Sequence, residues 1–185
     1  MNGTLLKGMI PMNLLAVAAI GTVMAIQADG LDTSFKSYMD YNCITDEDST
    51  QYKLQQNAWT DSNGLRRYGG FGDYMIAVGL PYGSVGDRVL VTLDSGESIY
   101  CIIGDSKGDR YYHSCNKGAC VVEFIVSTQE LNEKAKTMGD CSYIENLSGE
   151  VQSITTLPSY DEILDFWQRN WSKIGFFMGN LVTKE

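Results

Sequence analysis

Five short runs rich in β-branched and aromatic residues dominate the middle of the chain, and each is bounded by Gly, Asp or Ser. They are DYMIAVG (Asp73–Gly79), RVLVTL (Arg88–Leu93), SIYCIIG (Ser98–Gly104), VVEFIV (Val121–Val126) and EVQSIT (Glu150–Thr155). Such runs between turn-forming residues read as β-strands. The turn Asp94-Ser-Gly-Glu97 joins two of them as a hairpin. Nineteen glycines against three prolines supply the many tight turns that a chain of short strands requires. One helix interrupts the series. Ser127-Thr-Gln-Glu130 has the spacing of a capping box, LNEKAKTM carries the helix on, and Gly139 ends it. A chain of 185 residues is long enough to bury roughly two thirds of its unfolded surface. The pattern therefore predicts a mainly β body over residues 31–157, a small barrel crossed by a single helix.

Apolar segments flank this body. Leu14–Ile26, LLAVAAIGTVMAI, holds no charge and is too short for a membrane span, which needs about twenty apolar residues. Residues 1–30 are therefore either a signal-like segment with Ala28 as a cleavage position, or an N-terminal helix docked on the domain. After Pro158, the segment SYDEILDFWQRNWSKIGFFMGNLV opens on a second capping box, Ser159 to Glu162. Ile163, Trp167, Trp171, Ile174, Met178 and Leu181 then follow at helical spacing. Residues 158–185 read as an amphipathic helix, which either packs on the barrel or contacts a protein partner or membrane surface.

Charge and ligand chemistry remove several classes of function. Asp and Glu number 23 against 14 Lys and Arg, and the basic residues are scattered, so nucleic acid is not an expected partner. Cys43, Cys101, Cys115, Cys120 and Cys141 lack paired C-x-x-C spacing, and His113 is the single histidine. Neither a structural metal nor a zinc peptidase or amidase is expected, and no cofactor is implied. No thiol sits at a recognisable strand-to-helix nucleophile turn, which disfavours a cysteine peptidase. In an oxidising compartment Cys115 and Cys120 of CNKGAC could close a short loop; otherwise the thiols pack as small hydrophobes.

The order SYMDYNCITD, MIAVGLPYGSVGDRVLVTLDSGESIYCIIGDSKGD, VVEFIV, helix and MGDCS resembles the 3D-type double-psi β-barrel. That module forms the catalytic part of membrane-bound lytic transglycosylase A, and the rare lipoprotein A and expansin barrels are similar. Ile76-Ala-Val78 stands where the family has its IAVDP strand, and Tyr82-Gly-Ser84 where it has a YGT turn. Asp105-Ser-Lys-Gly108 replaces DTGGAIKG, and Val122-Glu-Phe124 replaces IDVYF. The likeness covers about two thirds of the chain, at the level of motifs. The Asp-Thr-Gly-Gly of the family is shortened to Asp105-Ser106, and its later aspartate is Glu123. The resemblance implies a six-stranded double-psi barrel with one inserted helix, flanked by N- and C-terminal helices. It also implies a bacterial or phage protein that is secreted or associated with the cell envelope and acts on peptidoglycan or another glycan.

It further implies a lytic transglycosylase reaction, and that chemistry gives the stretch YCIIGD a role. Glycoside hydrolysis uses two carboxylates, one to protonate the leaving oxygen and one to attack or to activate water. When the 6-hydroxyl of muramic acid is the nucleophile, one carboxyl can serve as acid and then as base. Asp105, at the end of an apolar strand where desolvation favours its protonated form, is the candidate catalytic residue. Its alternative role is a polar strand cap. Glu123, Tyr82, Lys107 and Asp109 are the candidate substrate contacts, with a solvated turn as the other reading of Lys107 and Asp109. Two functions compete with catalysis: a polysaccharide-binding barrel whose tyrosines (Tyr38, Tyr41, Tyr52, Tyr68, Tyr74, Tyr111 and Tyr112) line a sugar groove, and a structural component of a phage particle or secretion machine.

Overall fold

The computed structural model describes residues 32–107, 120–166 and 168–169, together with the backbone of 23–25, 114–115 and 118–119. Thr22–Leu157 form one compact unit. Its strands are β1 (Val23–Ala25), β2 (Ser37–Asp40), β3 (Ala58–Thr60), β4 (Arg66–Tyr68), β5 (Asp73–Val78), β6 (Arg88–Leu93), β7 (Ser98–Ser106), β8 (Ser114–Cys115), β9 (Gly118–Ala119), β10 (Glu123–Val126) and β11 (Val151–Leu157). Nine of them form one mixed sheet whose main path runs β1-β11-β6-β7-β5-β10-β2, with β3 and β4 branching from β5. β5 runs parallel to β7 and β10 parallel to β2, whereas the remaining pairs of the sheet are antiparallel. The mainly β body expected from the apolar runs is thus present.

β5 is apolar from Met75 to Val78 because both of its faces are covered, the pattern of a buried central strand rather than a half-solvated one. Ile76 and Val78 join the larger core with Cys101 and Ile103 of β7 and Phe124 and Val126 of β10. On the opposite face Met75, Ile102 and Ile125 form a smaller cluster, closed over by Met39, Tyr41, Ile44, Leu54, Ala58 and Tyr68. At its start β5 is fixed by a buried ion pair, in which Arg88 Nε lies 2.7 Å from Asp73 Oδ2.

No strand ladder closes the sheet among the described residues. The segment leading into β2 instead meets the start of β11 and the turn at Cys141 through backbone hydrogen bonds. Val151 N donates to Thr33 O at 2.9 Å, and Cys141 N donates to Lys36 O at 2.8 Å. Lys36, fully buried, donates from Nζ to Gly149 O at 2.6 Å, to Ser34 O at 3.1 Å and to Ser142 Oγ at 3.3 Å.

Several local expectations are corrected. Among the described residues the body holds two α-helices rather than one. Ser49 caps the unexpected helix Thr50–Gln56, its Oγ accepting from Tyr52 N at 3.1 Å. The second helix spans Glu133–Met138, capped by Asn132 and ended at Gly139 in the left-handed region (φ 70°). Ser127 and Glu130 bond to each other within a preceding turn, because the chain turns again before Asn132 can start the helix. Residues 23–25 pair with β11 as a strand, so a helix over Leu14–Ile26 does not include them; the other residues of 1–31 lie outside the described residues. In the second unit, residues 160–166 and 168–169 are helical. Its capping box is formed: Glu162 N donates to Ser159 Oγ and Ser159 N to Glu162 Oε2. Trp167, Trp171, Ile174, Met178 and Leu181 lie outside the described residues. No helix among those described is long and apolar enough to cross a membrane.

Two tests of this fold follow from its loops. Gly64 has φ +81°, and a Cβ there would lie 2.4 Å from Leu131 Cα, against backbone that cannot swing away. Gly64→Ala is expected to destabilise the protein by about 3 kcal/mol or more in urea unfolding; a loss below about 1 kcal/mol would contradict this packing. The second concerns Asp40. Burial raises its pKa, but hydrogen bonds from the Thr128 side chain and from Asn42 and Thr128 backbone amides outweigh it and leave the pKa lowered. Its stabilisation is complete above the unfolded carboxyl pKa of about 4 and is lost as pH falls through the folded value. Asp40→Asn should lower the urea midpoint at pH 7 and flatten its decline below about pH 4.

Candidate functional site

The end of β7 is irregular, and the irregularity decides where Asp105 goes. A Cβ on Gly104 would lie 2.7 Å from Ile125 Cδ1 and 3.0 Å from Met75 Cε, so a side chain there would push on the ends of both. Ile103 pairs with Ile76, Gly104 is skipped, and Asp105 pairs with Ala77. The other neighbour of Ala77 is Glu123 on β10. The register thus lines up Glu123, Ala77 and Asp105 across three adjacent strands, with the two acidic Cα atoms about 10 Å apart from strand spacing.

The two carboxylates differ in access. Asp105 is half-buried; its Oδ1 accepts from Ser106 N at 2.8 Å and from Gln51 Nε2 at 3.5 Å. Oδ2 accepts no hydrogen bond from the described residues. Glu123 is 7% exposed, enclosed between β2 and β5. Gln51 belongs to the helix Thr50–Gln56, and the sequence reading missed it along with that helix. Ser49, a helix-capping residue type just before the TQYKLQQ segment, was the available signal.

The remaining candidates spread out. Lys107 is not a solvated turn residue: its Nζ donates to Cys120 O at 2.8 Å and reaches Cys120 Sγ at 3.1 Å, and its N donates to Val78 O at 3.0 Å. Tyr82 is 5% exposed and packs in the larger core. Asp109, Tyr111, Tyr112 and the Cys115 side chain lie outside the described residues. The other tyrosines do not form one groove. Tyr38 donates to Lys136 O, and Tyr74 packs edge-on against Phe124 while the Arg67 guanidinium covers its ring at 3.2 Å. Tyr41 and Tyr52 line a cleft beside the helix Thr50–Gln56.

Burial pushes the Cys101 and Cys141 thiols well up, nearby Asp73 and Asp140 adding to it, so both stay protonated and unreactive at neutral pH. Among the described residues no cluster of three or more His, Cys, Asp or Glu side chains could hold a metal. No protein family, no curated protein and no solved structure matches the chain.

Lys107 yields a prediction about structure rather than chemistry. Lys107→Ala takes the ammonium away from the carbonyl of buried Cys120, and should cost about 1–3 kcal/mol in chemical denaturation. An unchanged midpoint would mean that these contacts carry no stability.

Proposed function

We propose that the protein is a peptidoglycan-cleaving, lytic transglycosylase-like cell-wall protein built on a double-psi barrel, with Asp105 as its single general acid and base. Support for the barrel comes from the unbroken series β2, β10, β5, β7, β6 and β11, six strands whose ends approach at Thr33 and Val151. The observation that carries the reaction is the position of Asp105. A buried strand delivers it to a half-buried site, with one oxygen held by Ser106 and Gln51 and the other accepting no hydrogen bond from the described residues.

In the reaction, Asp105 gives its proton to the glycosidic oxygen as the bond from that oxygen to the anomeric carbon breaks. The muramic 6-hydroxyl forms the new bond to that carbon, and its proton passes to Asp105, which is thereby restored. Water is not consumed, so no second carboxylate is needed to activate it. Glu123, in the same row but enclosed, is given no part in proton transfer. A secreted or envelope location rests on the resemblance alone, because Val23–Ala25 of the charge-free run pair with β11 and removal at Ala28 would take β1 from the sheet. A second reading, a barrel that holds polysaccharide without cutting it, is favoured by the burial of Glu123 and Tyr82, which leaves few substrate contacts beside Asp105.

The test is mass spectrometry of purified sacculi incubated with the protein. Anhydro-muropeptides should appear, and Asp105→Asn should slow their formation about a hundredfold to ten-thousandfold while the far-UV spectrum stays the same. Glu123→Gln should slow it less. Glycan binding without products would transfer the assignment to the binding barrel. Neither binding nor products would leave the structural role in a phage particle or secretion machine.

A further inference from the structure

A cleft of about 340 Å³ opens between the turn Tyr41–Cys43, the loop that follows it and the helix Thr50–Gln56. Its volume lies at the lower end of ligand sites. Its walls reach solvent: Thr45, Glu47 and Gln56 are exposed, and Tyr41, Ile44 and Tyr52 are half-buried. Neither Asp105 nor Gln51 lines it, so the cleft is a place apart from the proposed acid.

The lining offers acceptors more readily than donors. Asn42 Nδ2 is engaged with Asp40 Oδ1 at 2.7 Å, which leaves Asn42 Oδ1 as an acceptor. Gln55 offers neither end, since its Oε1 accepts from Arg66 Nε at 3.2 Å and its Nε2 is enclosed. Among the described residues no cation pairs with Glu47, and no lysine or arginine lines the cleft. The cations nearby are committed elsewhere. Lys53 Nζ donates to Asp48 O at 2.8 Å, and buried Arg66 is bonded to Gln55 O, Ala58 O and Thr60 Oγ1. Asp46 and Asp48 flank Glu47 in sequence, so the carboxylates of this region outnumber those two cations.

Tyr41 and Tyr52 add two rings, whose negative faces attract cations. The Arg66 guanidinium, 4.5 Å from the Tyr41 ring centroid, already takes one face of that ring. Tyr52 carries no such cation among the described residues and is left as the main ring for a ligand. We propose that this cleft binds an organic cation, an alkylammonium group that sits against the Tyr52 ring with Glu47 as its counter-ion. A ring beside a carboxylate suits a cation that gives up part of its hydration, and Ile44 suits its alkyl carbons. Phosphate and carboxylate ligands would meet repulsion at Glu47. A neutral sugar needs donors as well as acceptors, and finds the donors here reduced to hydroxyls and Gln56. The same alkylammonium chemistry is carried by a quaternary ammonium headgroup and by the end of a lysine side chain.

The test is titration of the full chain at low ionic strength, followed by NMR, with choline and n-butylammonium, each beside a neutral control, dimethylbutanol and butanol. At least one cation should bind saturably, shift the resonances of Tyr52 and Glu47, and bind about tenfold more tightly than its control. Tighter binding of choline would assign the cleft to quaternary headgroups, and tighter binding of butylammonium to lysine ends. Glu47→Gln, at an exposed position, should weaken binding about threefold and flatten its salt dependence. Tyr52→Leu keeps an apolar, helix-forming side chain and should weaken binding about fivefold. No saturation by either cation, equal binding of cation and control, or unchanged affinity in Glu47→Gln or Tyr52→Leu would overturn the proposal. So would cellobiose bound in the cleft where neither cation binds. None of these readouts uses sacculi, so a failure of the cleavage reading and a failure of this one are told apart.

Discussion

A buried lysine holds together the two ends of the strand series. Lys36 is fully enclosed, and burial lowers its pKa while nearby Asp140 opposes that shift. An ammonium placed there survives because it is surrounded by acceptors: Gly149 O, Ser34 O and Ser142 Oγ. These acceptors belong to the approach to β2, the turn after the helix Glu133–Met138, and the approach to β11. One side chain thus gathers three segments that are far apart in sequence, and the backbone bond from Val151 to Thr33 lies beside it. The approaches to β2 and to β11 are thereby fixed to each other although no strand ladder joins them.

The placement of the candidate acid follows from strand pairing in a traceable way. β2 fixes β10 by parallel pairing at Glu123–Val126, β10 fixes the second half of β5, and β5 fixes the end of β7. β4 occupies the first half of the same β5 edge, at Asp73 and Tyr74, and the isolated bridge from Leu65 to Val126 continues the connection to β10. β5 therefore has no freedom to slide. Gly104 is skipped in the ladder between β5 and β7, at a place where Ile125 and Met75 crowd the position its Cβ would take. A bulge at the end of a rigid strand re-aims the next residue, and that residue is Asp105.

What the sequence made legible follows from the same physics. The five apolar runs were read as strands because burial on one or both faces writes itself into composition. β1, β3 and β4 span three residues each and β2 four, too few to show a period, and Arg66, Arg67 and Asp40 within them look like loop residues. The helix Thr50–Gln56 has seven residues, buries little beyond Gln55 and Leu54, and carries a lone cap with no acidic partner three residues on. An acid at the mouth of β7 was visible in CIIGD, but its row with Ala77 and Glu123 was not, since register depends on a contact between Gly104 and a strand some twenty residues later. Lys36 was invisible because a lysine between Phe35 and Ser37 reads as surface until the segments that surround it are brought together.

The chemical logic of the region joins these elements. An enzyme that uses one carboxyl for two proton transfers must hold the sugar still between them, because the nucleophile is part of the substrate and has to reach the anomeric carbon before water does. A solvated loop alone would hold such a substrate poorly. Here the oxygen of Asp105 that is already bonded is held by Gln51, and Gln51 shares a helix face with Gln55, whose other neighbour is the committed guanidinium of Arg66. Arg66 in turn is anchored to the backbone carbonyls that end this helix and begin β3. Asp105, presented by β7, is thus touched by a short helix that Arg66 fastens at its far end. That contact is why the helix Thr50–Gln56, the element least visible in the sequence, enters the functional argument beside the strand that presents Asp105.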